Sequence, residues 1–341
     1  MRLQRFTFLF LLITISSLTP SLRAAAQSAA KQSAAHRAQS FLLVISKPGD
    51  SLLIIDPATL KALGRVPTGE GPHEVIASAD GLTAYVTNYG TGPKPGASLS
   101  VIDLVGKKEV KRVELNDLVR PHSLVEAGGN IYFTAEGAQS VARYNPATGS
   151  VDWRVKTEQK GTHMLAISPD RKRIYTANIG SDSVSVIELG AGQSGARVTQ
   201  IPIGRQPEGI ALSPDGRELW LGHRVDGLVT VLDTSTNKTI ATFNVGEVPL
   251  RMTFTPDGKR ILIMNPTGDR LHVFDRATRK EVKQIEISGA PVNAVCSPDG
   301  RKAYVTVIQA SKVVVVDLDK LTIVGEAAYE NVSDGIGWAG K

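Results

Sequence analysis

Short apolar runs separated by polar turn residues recur from one end of the chain to the other. The clearest example covers residues 71–88, where two runs of alternating apolar and polar residues flank Ser78-Ala79-Asp80-Gly81. Alternation with a period of two is typical of a strand with one buried face, and a turn between two such runs indicates a hairpin. Residues 71–88 are therefore predicted to form a strand, a tight turn and a second, antiparallel strand.

The hairpin recurs at intervals of about 41 to 49 residues. The copies begin at Pro72, Pro121, Thr162, Pro207, Pro249, Pro291 and Ser333. Each of the first six is followed by a third and a fourth strand-like run before the next copy begins, so six repeats are complete. A period in the forties that contains only strands is typical of a β-propeller, in which each repeat forms one four-stranded blade.

The two ends of the chain together supply one further blade. Residues 41–66 contain three strand-like runs with no first strand before them, and residues 334–339 form a first strand with nothing after it. Pairing these ends would close a ring and remove its exposed sheet edges. We therefore predict an all-β fold, a seven-bladed β-propeller closed by pairing of the C-terminal strand with the strand at residues 41–46.

One tetrapeptide indicates a family. Tyr85-Val86-Thr87-Asn88 follows a Pro-His pair and an Asp-Gly turn, and it resembles the repeat of YVTN-type β-propellers. Weaker copies are Tyr175-Thr176-Ala177-Asn178 and Tyr304-Val305-Thr306-Val307. The resemblance implies the fold and a broad range of functions: surface-layer and other binding proteins, relatives of lactonases, and periplasmic proteins that accompany quinone or copper enzymes.

The first 26 residues have the pattern of a secretory signal peptide. Arg2 and Arg5 precede an apolar run over residues 6–18, and Ala24-Ala25-Ala26 offers a small-residue cleavage site. The run is shorter than the roughly 20 apolar residues of a membrane-spanning helix, and no later stretch suits one. We expect an exported protein, periplasmic or extracellular, with a flexible leader at 27–40, a propeller at 41–341 and no transmembrane segment after signal removal.

Charge and cysteine content narrow the classes of partner. The formal net charge is +6, but Arg2, Arg5 and Arg23 would be lost with the signal peptide. The sequence has no basic cluster interleaved with aromatic residues, which argues against a nucleic acid as partner. Cys296 is the single cysteine, so no intramolecular disulfide can form, and its position within an apolar run predicts a buried, unreactive thiol.

The first residue of each copy, usually a proline, is taken as the reference position. The residue after it begins an innermost strand and is expected at the mouth of the central channel. Three successive repeats place a histidine there, and Glu208 and Asp334 flank them in the ring. The loops that follow second strands are expected on the same face. Polar groups that converge on a concave rim predict a ligand site. The candidate residues are His73, Glu74, Asn88, His122, His163, Asn178, Glu208, His223, Arg224, Arg251, Asn293 and Asp334.

Two insertions interrupt the regular spacing. Residues 89–97 lengthen a loop on the face of the candidate residues, and residues 190–195 lengthen a loop on the opposite face. Because binding residues usually lie on loops carried by a rigid scaffold, we expect the first insertion to border the site.

Three interpretations of the histidines stay open. The imidazoles could hydrogen-bond the backbone of a neighbouring blade, or contact an organic or anionic ligand. Alternatively, His73, His122, His163 and Glu208 could coordinate a divalent metal such as zinc or copper. No other cofactor is indicated. The metal interpretation depends on geometry, since the ligands come from separate repeats and the nitrogens must approach to about 3–3.5 Å.

The sequence does not separate an enzyme from a binding protein. It contains neither the Gly-x-Ser-x-Gly turn of serine hydrolases nor a Gly-Lys-Ser phosphate loop. The favoured interpretation is an exported binding or interaction protein, with an unknown protein or small-molecule ligand at the channel mouth. The alternatives are a metal-assisted lactonase- or lyase-like enzyme that uses Glu208 or Glu74 as base, and a periplasmic partner of a redox enzyme. Such a partner would carry no c-type haem, because a CxxCH motif is lacking.

Overall fold

The structure, a computed structural model, describes residues 39–190 and 196–340. It consists of seven four-stranded antiparallel sheets in a ring, which confirms the predicted seven-bladed propeller. The predicted signal peptide, nearly all of the predicted leader and most of the insertion at 190–195 lie outside the described residues. No helix among the described residues is long and apolar enough to cross a membrane.

Each blade is a meander whose first strand lies nearest the channel, and strands are numbered in chain order. Blade seven, split between the chain ends, contains β1 (Phe41–Ser46), β2 (Ser51–Ile55), β3 (Ala62–Pro67) and β28 (Ile336–Ala339). Blade one contains β4 (Pro72–Ala77), β5 (Thr83–Gly90), β6 (Pro95–Asp103) and β7 (Lys108–Glu114). Blade two contains β8 (Pro121–Ala127), β9 (Asn130–Ala135), β10 (Ser140–Asn145) and β11 (Ser150–Lys156).

The other four blades follow the same order. Blade three contains β12 (Thr162–Ile167), β13 (Arg173–Asn178), β14 (Ser183–Glu188) and β15 (Arg197–Pro202). Blade four contains β16 (Pro207–Leu212), β17 (Glu218–His223), β18 (Leu228–Asp233) and β19 (Lys238–Asn244). Blade five contains β20 (Arg251–Phe254), β21 (Arg260–Asn265), β22 (Arg270–Asp275) and β23 (Glu281–Glu286). Blade six contains β24 (Pro291–Cys296), β25 (Lys302–Val307), β26 (Lys312–Asp317) and β27 (Thr322–Ala328).

The chain ends close the ring as the split repeat predicts. β28 pairs antiparallel with β1, with Leu42 opposite Trp338 and Val44 opposite Ile336. β28 also contacts β4 and β24, the innermost strands on either side. The C-terminal strand therefore completes blade seven and fills the last place in the inner ring.

The core lies between the blades. Each middle strand packs against sheets on both faces, so most of its residues are buried and it loses the alternation of a half-exposed strand. β1 is an example: every one of its six residues is buried. The outermost strands, such as β19 and β23, are mostly exposed instead, with no buried residue in β19 and one in β23. Cys296 lies at the end of an innermost strand, and burial raises the pKa of its thiol to about 12, as expected for an unreactive cysteine.

The innermost strand of five blades leads into the same hydroxyl–aspartate turn. In blade four, Ser213 Oγ donates to Asp215 Oδ1 at 2.6 Å, and Gly216 has a φ of 71° that suits glycine. The five hydroxyl–carboxylate pairs are Ser78–Asp80, Ser168–Asp170, Ser213–Asp215, Thr255–Asp257 and Ser297–Asp299. These turns form what we call the turn face. The opposite ends of the same innermost strands form the channel mouth.

Candidate functional site

A β-bulge at the start of most innermost strands directs one side chain toward the channel. In blade three, Thr162 pairs with Asn178 and Met164 pairs with Ala177, so His163 has no partner in the ladder. Because an unpaired bulge residue leaves the regular pleat, its side chain is re-aimed away from the sheet. The residue after the reference position lies in such an irregularity in five blades: His73, His122, His163, Glu208 and Val292.

Two buried threonines connect these bulges to the next blade. Thr87 Oγ1 accepts a hydrogen bond from the Glu74 amide at 3.0 Å and donates to the His122 carbonyl at 2.9 Å. Thr134 Oγ1 likewise donates to the His163 carbonyl at 2.6 Å. The backbones of His122 and His163 are therefore each held by the preceding blade, which keeps the three histidines in register around the ring.

The three imidazoles form a stack at the channel mouth. The His122 ring centroid lies 4.1 Å from that of His73 and 3.8 Å from that of His163. His122 is 1% exposed, and neither of its ring nitrogens has a hydrogen-bond partner. His73 Nδ1 and His163 Nε2 are also buried without a hydrogen bond. The backbone hydrogen bonds expected of purely structural histidines are thus not made by these atoms.

Two of the stacked imidazoles, His122 and His163, differ in protonation. Burial, reinforced by the neighbouring histidines, lowers the pKa of His122 well below its ordinary value, so this ring is neutral and offers a lone pair. Burial also acts to lower the pKa of His163, but Glu136 and Glu208 outweigh it and raise the pKa. A neutral acceptor therefore lies beside an imidazole that protonates readily.

Glu136 fixes the orientation of His163. Its Oε1 contacts His163 Nδ1, and its Oε2 accepts a hydrogen bond from the Tyr89 hydroxyl at 2.5 Å. Burial acts to raise the pKa of Glu136, yet His163 and Tyr89 lower it, so the carboxylate is ionised. With Nδ1 engaged, His163 presents Nε2 to the channel, where Glu208 Oε1 lies 3.7 Å away.

Glu208 is a second ionised carboxylate at the mouth. Its Oε2 accepts a hydrogen bond from Arg224 at 3.1 Å. Burial acts to raise its pKa, but His163, Arg251 and Arg224 together lower it. Glu208 is therefore available as a charged acceptor at neutral pH.

A buried ion pair crosses the channel from blade five to blade one. Arg251 Nη2 donates to Glu74 Oε1 at 2.8 Å, and the two residues are 3% and 7% exposed. Asp334 Oδ2 lies 3.7 Å from Arg251 and 3.5 Å from His73 Nδ1. Burial acts to raise the pKa of Asp334, but His73 and Arg251 lower it. These charges satisfy one another and anchor one side of the mouth.

Two groups of side chains have the geometry to share a metal ion. One consists of His73, Glu74 and His122, and the other of His122, Glu136 and His163, with the ligand atoms within 4.8 Å of one another in each group. His122 belongs to both groups. Glu208, predicted as the carboxylate ligand, lies near His163 but outside both of them.

The other predicted site residues do not join the histidines. Asn88, Asn178 and His223 are buried at the ends of second strands and bond within their own blades. Asn178, for example, donates to Ser185 Oγ at 2.9 Å, and His223 Nε2 contacts Thr230 Oγ1 at 2.8 Å. Asn293 Oδ1 accepts from its neighbouring amide at 2.9 Å. The structure brings together His73, Glu74, His122, His163, Glu208, Arg224, Arg251 and Asp334.

The residue one position after Asn88, His223 and their counterparts in the other blades was missed, except at Arg224. This position carries Lys47, Tyr89 and Glu136 in blades seven, one and two. Tyr89 contacts the rings of His73 and His122 with centroids 5.3 and 5.7 Å apart, and Lys47 Nζ lies 5.2 Å from the Tyr89 ring. A sequence signal was available, since polar or aromatic residues recur at the same phase, one residue after the position we chose.

Comparison with known proteins agrees with the architecture. A family model described as "YNCE-like beta-propeller" matches residues 121–297, more than half of the 341 residues. The match runs from the first strand of blade two to the first strand of blade six. No curated protein matches this chain in sequence.

Solved structures show the same fold at low sequence identity. One is the Kuenenia stuttgartiensis hydrazine synthase, with a TM-score of 0.71, 20% identity, and coverage of 81% of this chain and 92% of that chain. Another is the periplasmic gluconolactonase of Pseudomonas aeruginosa, with a TM-score of 0.71 and 18% identity. The match covers 88% of this chain and 99% of that chain. A functionally unknown protein from Desulfotomaculum acetoxidans has a TM-score of 0.77 and 14% identity, and the match covers 88% of this chain and 99% of that chain. At these identities the likeness concerns the fold alone.

Proposed function

This chain belongs to the YNCE-like beta-propeller family, and we propose that it is a binding protein whose channel mouth holds a divalent transition-metal ion. His73, His122 and His163 would supply the ligand nitrogens. The observation that carries the proposal is His122, a fully buried imidazole with no hydrogen bond at either nitrogen. Buried polar atoms without partners are rare, and each calls for an explanation such as an ion.

The protonation state of His122 suits a metal. A histidine must be neutral to coordinate, and burial keeps His122 neutral. Imidazole ligands favour zinc, copper, nickel or iron over magnesium and calcium. Within each group the ligand atoms are at most 4.8 Å apart, so small side-chain rotations would bring them to the roughly 2.0–2.1 Å bonds of a zinc site.

Glu136 would act on the metal through His163. A metal-binding histidine commonly directs its other ring nitrogen to a carboxylate, which fixes the ring and makes it more basic. The contact between Glu136 and His163 Nδ1 matches this arrangement, and the Tyr89 hydroxyl in turn holds Glu136. Glu208, 3.7 Å from His163 Nε2, would offer an additional oxygen ligand.

The test is the metal content of protein purified without a metal-binding tag, before and after incubation with zinc or copper. We expect close to one ion per chain in the wild type and none in the His73→Ala, His122→Ala, His163→Ala triple variant. His223→Asn is the matched control, because asparagine occupies the equivalent position in blades one, three and five. Equal metal in wild type and triple variant, or none in either, would contradict the proposal.

A metal-assisted hydrolase is the second candidate, and Glu208 favours it. When bound, a metal ion would polarise a carbonyl or a water molecule. Glu208 is ionised beside His163, as a general base must be, whereas Glu74 is engaged by Arg251. Lactone hydrolysis that requires added metal and disappears in Glu208→Gln would support an enzyme, and metal binding without such activity would leave a binding protein. The hydrazine synthase likeness shows only a fold, so a redox partnership is not part of this proposal.

We also infer that the protein is exported. The positive start, the apolar run at residues 6–18 and the small residues at 24–26 support this. Expression of the full chain followed by fractionation tests it: mass spectrometry should find a mature form that begins near residue 27 outside the cytoplasm. Uncleaved protein in the cytoplasm would contradict it.

A further inference from the structure

A pocket of about 450 Å³ lies beside the histidine stack, on the side of blades seven and one. Its lining includes the side chains of Lys47, Asp50, Glu70, Tyr89, Thr91 and Arg120. This volume is within the range of sites for small organic ligands. Tyr89 is a shared wall, because its ring lines the pocket and also contacts His73 and His122.

Two cations lie near the Tyr89 ring in this pocket. Lys47 Nζ lies 5.2 Å and the Arg120 guanidinium carbon 5.1 Å from the ring centroid. In the described part of the chain, neither cation has a carboxylate oxygen within ion-pair distance. Arg120 donates to the Gly92 carbonyl at 2.9 Å, which directs its guanidinium along the inserted loop. Both groups therefore keep hydrogen-bond donors for a ligand.

The carboxylates of the pocket are already engaged. Asp50 Oδ1 accepts from the Gly71 amide at 2.7 Å, and Glu70 Oε2 accepts from Lys94 at 2.7 Å. Neither of these carboxylates forms an ion pair with Lys47 or Arg120 among the described residues, so both cations can still pair directly with a ligand.

The electrostatics of Lys47 agree with this picture. Burial is the main cause that lowers its pKa, and Arg120 lowers it further. The rim carboxylates Asp334, Glu74 and Glu136 act in the opposite direction without reversing the shift. Two like charges held close together at a partly desolvated place are costly, and a bound anion would relieve that cost.

The inserted loop gives the pocket a fixed wall. Gly90 has a φ of 82°, and a Cβ at this residue would lie 2.1 Å from the Gly96 amide nitrogen. Only glycine suits such a tight turn. The Arg120–Gly92 and Lys94–Glu70 contacts hold the loop from both sides.

We propose that this pocket is an anion subsite that binds the carboxylate of a small organic acid through Lys47 and Arg120. A planar guanidinium pairs well with a carboxylate, and the ammonium of Lys47 adds a second positive charge in the same pocket. The proposal deepens the proposed function in one respect, since it identifies the ligand class of the channel mouth. Its physical basis, however, requires no metal.

The test is isothermal titration of metal-free protein, freed of chelator by gel filtration because chelators are themselves polycarboxylates. The titrants are succinate, inorganic phosphate and the uncharged butane-1,4-diol. We expect succinate to bind and the diol not to bind. Lys47→Met and Arg120→Met should each weaken succinate at least tenfold. Lys160→Met is the matched control, because it removes an exposed lysine from a neighbouring loop of the same face, and its affinity should equal that of wild type.

Each other outcome has a defined meaning. Equal succinate affinity in wild type and both variants, equal binding of the diol, or binding of phosphate alone would overturn the carboxylate subsite. Lys47-dependent succinate binding by a protein that never binds metal would reject the metal proposal and keep the subsite. Histidine-dependent metal binding without succinate binding would do the reverse.

Discussion

The two ends of the innermost strands follow different rules. At the turn face, five blades repeat the same hydroxyl and aspartate, with oxygens 2.5–2.6 Å apart. At the channel mouth, the residue type at the position after the reference residue changes around the ring. Around the ring from blade one it holds His73, His122, His163, Glu208, Leu250, Val292 and Asp334.

The difference follows from what each end must satisfy. A turn is a local problem, solved inside four residues, so every blade can use the same solution. The mouth residues face one another across a shared space, and their partners lie in other blades. Glu74 pairs with Arg251 from blade five, and His163 pairs with Glu136 from blade two. In this molecule, residues that repeat in most blades make contacts within their own blade. Residues that differ at a repeated position make contacts between blades.

The mouth itself is divided. At the position after the reference residue, blades seven and one to four carry charged or imidazole groups, whereas blades five and six carry Leu250 and Val292. A ligand would therefore bind to one side of the channel. Lys47 and Arg120, the cations of the anion subsite, lie on that polar side.

Deletion of residues 330–341 should have the largest effect, because it removes both Asp334 from the mouth and the strand that closes the ring. β28 pairs with β1 and contacts β4 and β24, the innermost strands on either side. Losing it exposes β1 and the edge of blade one, and we expect the melting temperature to fall by about 10 °C or more. Calorimetry checks this.

A circular permutant that joins the present ends and opens within residues 191–195 is the control. It keeps the pairing of β28 with β1 and should keep most of its stability. An unchanged melting temperature after the deletion would show that ring closure is not needed.

Arg251→Met tests the buried charges at the mouth. Removing this guanidinium leaves Glu74 and Asp334 without their common partner inside the channel, and breaking a buried pair costs about 3–5 kcal/mol. Arg205→Met removes an arginine whose side chain is 67% exposed and paired with Asp226, and should cost less than about 1 kcal/mol. Urea unfolding of both variants gives the comparison. Equal effects would mean that mouth charges are no more demanding than surface charges.

Asp215→Asn should give the smallest effect, at the turn face. Burial acts to raise the pKa of Asp215, but Ser213, the Arg217 amide and Arg276 lower it to about 2 from 3.8. Because the folded pKa is lower, the carboxylate stabilises the fold above about pH 4, and that contribution is lost as the pH falls toward 2. We expect the substitution to cost about 1 kcal/mol at pH 7, after screening of this half-exposed pair, and almost nothing near pH 2.

Asp299→Asn provides the matched turn. Asp299 accepts from Ser297 Oγ at 2.5 Å but lacks the arginine that crosses from the next blade to Asp215. Its substitution should cost less at pH 7. Equal losses of stability for the two variants at every pH would show that the inter-blade arginine does not stabilise the fold. Neither variant should change metal binding.

The architecture could be predicted from the sequence because every blade carries its own turn and strand pattern. The split seventh blade was visible in the same way, since residues 41–66 and 334–339 are complementary pieces of one repeat. The matching family model is the YNCE-like beta-propeller, and the narrower resemblance to YVTN-type repeats stays a prediction. So do the signal peptide and the leader.

The site was predictable only in part. The residues after the reference proline face the channel as predicted, because the bulge that re-aims them begins at that proline. For the second strands, Asn88, Asn178 and His223 turn into their own blades, whereas Tyr89 and Arg224, one residue after Asn88 and His223, reach the mouth. Whether Glu136 meets His163 or Arg251 meets Glu74 depends on how neighbouring blades are rotated, and no local pattern encodes that.

The pairing of Phe41 with Ala339 also sets an order of events during folding. β1 and β2 are the first strands of the propeller to be synthesised, and their sheet is the last that can be completed. Until β28 is synthesised, two strongly apolar strands lack a pairing partner that lies almost 300 residues later in the chain. Contacts of such long range slow folding, and waiting apolar strands are prone to aggregate. The closed ring therefore makes completion of the chain a condition for completing the fold, and it leaves the nascent protein dependent on protection until then.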